Sequence, residues 1–131
     1  MIISPPVYAS SWPEKPIKIT IPWKAGAGAA NFVSRQLQKT VAQNNLINQP
    51  ITIFNVGGAL PVGMRQFLKA QPDGYNFMVM HTAILTLEAT GKIDFGYKDL
   101  VPVVRLGQFC MSSVVSKKSN ITSLDSVIAT G

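Results

Sequence analysis

Apolar and polar residues alternate through Ile17-Lys18-Ile19-Thr20-Ile21, the two-residue period of a half-buried strand. The run stops at Pro22, which has no N–H to give to a sheet ladder. After a stretch of glycine and alanine from Ala25 to Ala30, Val33, Leu37 and Val41 return every fourth residue, with Arg35, Gln38 and Lys39 on the opposite face. That period predicts a helix, with Asn31 as its N-cap. The unit then repeats: Pro50 introduces a β-branched strand, Ile51 to Asn55, a small-residue loop runs from Val56 to Leu60, and Pro61 stands at a first helical position. Met64, Phe67 and Leu68 mark the buried face of this second helix.

Pro72-Asp73-Gly74-Tyr75 predicts a turn into a third strand, Asn76 to Met80, whose nearly continuous apolar character fits a parallel strand covered on both faces. His81-Thr82-Ala83 follows its C-terminal end. Strand and helix in alternation predict an α/β fold with a mainly parallel sheet. Right-handed crossovers gather the small or polar loops after the three strands on one edge, where open α/β sheets bind their ligands. Beyond Gly91 the pattern changes to a surface loop, 94–99, and two further expected strands, Val101 to Leu106 and Ser113 to Ser116. Thr122-Ser123-Leu124-Asp125 resembles a capping box opening a helix at Ser123. Barely two turns of that helix are written before Gly131, so a cut element is expected.

The first loop carries the candidate chemistry. With no side chains to obstruct it, a ligand can approach its backbone N–H groups, and the positive end of the following helix favours an anion there. An ordinary connection, small only because helix and strand pack closely, is the alternative. Gly26 to Asn31 also nearly spells the dinucleotide fingerprint G-x-G-x-x-G. That fingerprint needs an acid at the end of the next strand for the ribose, and the strand ends at Asn55. No Asp or Glu occurs between Glu14 and Asp73, while Lys15, Lys18, Lys24, Arg35, Lys39, Arg65 and Lys69 do. An anionic ligand fits that field.

Composition narrows the choices further. At 131 residues, 47% hydrophobic and 14% charged, the chain has enough apolar residues for one real core, and no segment approaches the length of a membrane span. The net charge of +6 is scattered, with only Lys117 and Lys118 adjacent, so it forms no nucleic-acid stripe. Cys110, the single cysteine, sits between Phe109 and Met111 and is expected to be a buried apolar residue. No disulfide forms within the chain, and no nucleophile-and-base arrangement, metal-ligand spacing or paired carboxylate suggests catalysis. Asp94 and Asp99 are expected to serve a turn or solvation. The start of the chain ends in a Val-Tyr-Ala step like the end of a secretory signal peptide, but without a basic start or a full apolar stretch. Residues 1–11 are therefore either a signal remnant or a flexible tail.

Trp-Pro-Glu-Lys-Pro-Ile-Lys-Ile (12–19), Ile-Pro-Trp-Lys-Ala-Gly (21–26), Pro-Asp-Gly-Tyr (72–75) and Tyr-Lys-Asp-Leu (97–100) occur in an order and spacing that carry a resemblance. From Trp12 onward the chain resembles the extracytoplasmic receptors of tripartite tricarboxylate transporters, the Bug-type solute-binding proteins, over less than half of a member's length. The resemblance implies a periplasmic-binding-protein-like lobe of an incomplete two-lobed architecture. Residues 12–100 would be the N-terminal part of the first lobe, and 101–131 the crossover and start of the second. It further implies a monomer without cofactor, enzymatic activity or nucleic-acid partner, which captures a small carboxylate in the periplasm and delivers it to membrane permease subunits. In such receptors main-chain N–H groups of the first two loops hold the carboxylate, with help from hydroxyls after the third strand. Carried over, these are Ala27, Gly28, Ala29, Ala30 and Asn31, then Gly57, Gly58 and Ala59, then Thr82 and Ala83.

This chain departs from the usual pattern of the family. A hydroxyl is lost at Ala30, a carboxylate becomes an amide at Asn31, and Ala59 and Leu60 stand where glycines are usual, with Leu60 expected to crowd the ligand. His81 and Ala83 replace small hydroxyl residues, and only Thr82 keeps one. Two other readings stand beside the receptor: a remnant whose substituted loops record a lost ligand, and an α/β enzyme domain binding a nucleotide or phosphate at Gly26 to Asn31. Trp23 is expected either at the cleft mouth or as a structural residue in the core.

Overall fold

A computed structural model describes residues 12–26, 28–108, 110 and 112–129. The expected signal remnant or tail, 1–11, and the candidate residue Ala27 lie outside the described residues. Strand β1 (Ile17–Ile21) leads to helix α1 (Gly28–Gln43), β2 (Ile51–Asn55) to α2 (Leu60–Leu68), and β3 (Asn76–Met78) to α3 (Ala83–Ala89). A single 3-10 turn, Tyr97–Asp99, and helix α4 (Leu124–Ala129) follow. The sheet is parallel throughout, in the order β2-β1-β3.

Because β2 and β3 flank β1 on opposite sides, right-handed crossovers place α1 on one face of the sheet and α2 on the other. Residue pairing agrees with this. Thr20 stands opposite Met78, and Met78 packs against the core cluster of Leu60, Met64, Ile84 and Ile93 contributed by α2, α3 and the segment after it. The opposite face, with Ile17, Ile19 and Ile21 almost fully buried, is left to α1. The most buried residues of α1 are Asn31 and Ser34, whereas Val33, Leu37 and Val41 are only half-buried. Apolar spacing located the helix; small and polar residues fill its tightest contacts.

Several expectations need correcting. The third strand ends at Met78 rather than Met80, although Val79 N–H still donates to Thr20 O at 3.0 Å, and β3 is half-buried because it borders the described sheet. Neither 101–106 nor 113–116 is a strand: a strand is completed by a neighbour's backbone groups, and no neighbour lies beside these segments among the described residues. Val101 and Val114 are each 86% exposed. Cys110 lies in the same unpacked stretch and is exposed, not buried. The helix near Ser123 does form, with Ser123 Oγ accepting from Ser126 N–H (3.2 Å) and Ser126 Oγ accepting from Ser123 N–H (3.1 Å). Its reciprocal cap thus uses Ser126 in place of Asp125.

Two contacts fix the sheet's surroundings. Helix α2 crosses the end of β1 at Gly63, where a Cβ would lie 2.5 Å from Cβ and 2.7 Å from Cα of the fully buried Pro22. At the opposite end, Asp73 Oδ1 accepts from Tyr75 N–H at 3.1 Å, closing the predicted turn, and Asp73 Oδ2 accepts from Lys15 Nζ at 2.7 Å. That bond from Lys15, reinforced by the Tyr75 N–H, holds the Asp73 carboxyl below the ordinary carboxylate range, and the same bond raises Lys15.

Gly63→Ala is expected to lower stability by about 1–3 kcal/mol through overpacking against Pro22, read as a drop in the urea midpoint; an unchanged midpoint would contradict the close approach. A depressed folded-state pKa at Asp73 adds stability above its unfolded value that fades as pH falls through the folded one. Asp73→Asn should accordingly flatten the acid limb of a melting-temperature profile, and an identical acid limb would show that the turn contact contributes nothing.

Candidate functional site

All three strand-to-helix loops leave the C-terminal edge of the sheet, since the strands are parallel. Gly28 opens α1 at φ +69°, and Gly58 in the second loop takes φ +110°, both in the left-handed region where a side chain is strained. The N–H groups of Gly28, Ala29 and Ala30, the first of α1, have no intrahelical acceptor and lie at this edge. Gly28, Ala29, Gly57, Gly58, Ala59 and Thr82 are exposed, and Ala30 and Ala83 are half-buried. Six of the eight are thus on the surface.

Two asparagines tie the loops together. Asn31, expected as the N-cap, instead lies inside the first turn of α1 and is only 3% exposed. Its Nδ2 donates to Lys24 O (3.2 Å), and its Oδ1 accepts from Asn55 Nδ2 (2.8 Å), which also donates to Trp23 O (3.1 Å). Arg35 donates to Asn55 Oδ1 at 3.4 Å. Asn55 stands where a dinucleotide site would place its acid, but its carboxamide is engaged by protein groups on both sides. The nucleotide reading loses its ribose anchor here, and the first loop gains a fixed backbone.

The third loop is joined to the first by stacking. Trp23, half-buried, lies parallel to His81 with ring centroids 4.7 Å apart and 9° between planes. His81 Nδ1 accepts from Ala83 N–H at 3.2 Å, so that candidate donor is already used within the loop. Thr82 precedes α3 without a side-chain capping bond. Leu60 does not crowd the edge: it is 7% exposed and turns into the core with Met64 and Ile84. Asp99 holds a turn, as expected, by accepting from the Gly96 N–H at 2.8 Å, whereas Asp94, expected to serve a turn or solvation, pairs with Arg65 of α2 at 2.7 Å.

Sequence reasoning thus collected the loops but missed their connectors, Asn55 and the Trp23–His81 pair. An asparagine ending a strand signalled only a missing acid, and nothing local announces a contact spanning 32 residues, as between Trp23 and Asn55. Two grooves, of about 550 Å³ beside Gln38, Asn45 and Pro50 and about 380 Å³ beside Glu88, Phe95 and Lys98, lie away from these loops. The first is at the wrong end of a parallel sheet for a ligand site and the second lies away from the strand ends, so the open edge is the better candidate. Among the described residues no cluster of His, Cys, Asp or Glu is suited to a metal.

No protein-family profile matches the chain. It is 31% identical over 132 residues to the protein BugT of Bordetella pertussis, covering 97% of this chain and 40% of BugT. Among solved structures it is similar to a TctC solute-binding protein from Polaromonas, with a TM-score of 0.61 and 23% identity over 70% of this chain and 31% of that one. It is also similar to the periplasmic binding protein BugD, with a TM-score of 0.51 and 32% identity over 59% of this chain and 25% of BugD. The chain therefore spans well under half the length of these relatives.

Asn55→Ala removes the bonds to Trp23 O and Asn31 and leaves a buried carboxamide without that partner. It is expected to cost about 1–3 kcal/mol in urea denaturation and to shift the amide resonances of Trp23 and Lys24. Wild-type stability with unmoved loop resonances would show that this network does not hold the first loop.

Proposed function

We propose that this chain, which belongs to the Bug-type extracytoplasmic receptors of tripartite tricarboxylate transporters, captures a small carboxylate in the periplasm for delivery to membrane permease subunits. Family members are solute-binding proteins, so the site holds a ligand and performs no reaction. The observation that carries the reading is the gathering of three loops on one edge of the parallel sheet, with the N-terminus of α1 beginning there and no acid in the first two. Residues Ala27 to Ala30 and Gly57 to Ala59 supply main-chain N–H groups, and Thr82 supplies a hydroxyl. Asn31 acts indirectly, by holding the carbonyl of Lys24 with its side chain. Ala83 shapes the third loop, its own N–H being bonded to His81.

Magnitude sets an expectation for the 131-residue chain. Each charge-assisted hydrogen bond contributes roughly 1.5–3 kcal/mol, against a substantial cost of immobilising the ligand. The few donors on this edge leave about −4 kcal/mol, which is millimolar binding.

Calorimetric titration with succinate and citrate should therefore give dissociation constants of about a millimolar or weaker. Micromolar binding would overturn this account of the affinity. Tight nucleotide binding with no response to carboxylates would favour the enzyme reading instead.

A further inference from the structure

Resting on the carboxylate reading above, we propose that Lys24 determines specificity by selecting a ligand with a second anionic group. Lys24 sits between the first two loops, and the backbone on both sides of it is pinned. Asn55 Nδ2 donates to Trp23 O at 3.1 Å, and Asn31 Nδ2 donates to Lys24 O at 3.2 Å. The direction in which Lys24 leaves the backbone is therefore set by two side-chain amides. Its Cγ lies 3.8 Å from the point where a side chain at Gly57 would begin, so its aliphatic stem runs across the second loop.

Charge supports the same assignment. Lys15 and Arg65 are paired with Asp73 and Asp94, whereas Lys24 is exposed and makes no ion pair among the described residues. The chain has no acid between Glu14 and Asp73 to neutralise it. Arg35, bonded to Asn55 Oδ1, adds a second cation on this edge. Main-chain amides hold one carboxylate without a formal charge of their own. An ammonium carried on a stem that passes the second loop adds a place for another anionic group, and a ligand whose far end is neutral gains nothing there.

The test compares succinate with monomethyl succinate, which nearly matches it in shape and carries one charge less, by titrating the full 131-residue chain and following amide resonances. Succinate should bind about three- to five-fold more tightly, as an exposed ion pair provides. Lys24→Gln should bring the ratio close to one by weakening succinate more than monomethyl succinate, and Lys24→Arg should preserve the ratio. Lys39→Gln, the same loss of charge in the C-terminal half of α1, should leave the ratio intact. A ratio that survives Lys24→Gln, or that falls equally with Lys39→Gln, overturns the role of Lys24 while carboxylate binding stands. Failure of both ligands to perturb the loops overturns the carboxylate reading itself, and this proposal with it.

Discussion

Parallel pairing of β1 with both of its neighbours is the constraint on which the rest depends. Parallel strands cannot be joined by tight hairpins, so each crossover must carry the chain back across a face of the sheet. Every strand then ends on the same edge. Three loops far apart in sequence meet there because β2 and β3 both pair with β1. The isoleucines of β1 make the arrangement stable by burying almost completely in its centre.

Converging loops need to be fixed before they can present donors to a ligand, and the chain does this with polar and aromatic side chains. Asn55, at the end of β2, bonds the Trp23 carbonyl and the Asn31 carboxamide, while the Trp23 ring stacks on His81 after β3. Loop one is thereby joined to loop two on one side and to loop three on the other. Part of the donor capacity is used in doing so, since Ala83 N–H bonds His81 and Asn31 is turned inward. Most of what is exposed on this edge is backbone at residues without bulky side chains. Recognition of that kind suits a carboxylate group common to many ligands, leaving discrimination among them to side chains at the margin.

The strands and helices up to Met78 were legible because local signals agreed: period-two runs, proline stops, small-residue loops and a turn with an Asx bond. Errors arose where a distant partner decides the outcome. Asn31 looked like a cap, but α1 begins three residues earlier at Gly28, and Asn55, 24 residues away, draws its side chain inward. Leu60 looked like an obstruction because its direction depends on α3, which buries it beside Ile84. The valines of 101–106 and 113–116 have strand composition, yet composition cannot provide the neighbouring strand that pairing needs. For the site, loop position was legible and connectivity was not: hydrogen bonds spanning 24 and 32 residues leave no periodic trace.

The central claim is that main-chain groups on the C-terminal edge of the sheet hold the ligand. Nitrogen-15 spectra of the labelled chain, recorded with and without saturating succinate, test it most directly. The account predicts that the perturbed amides are those of Gly28, Ala29, Ala30, Gly57, Gly58, Ala59 and Thr82. Perturbations confined to the groove of Gln38, Asn45 and Pro50, or to that of Glu88 and Lys98, would contradict it.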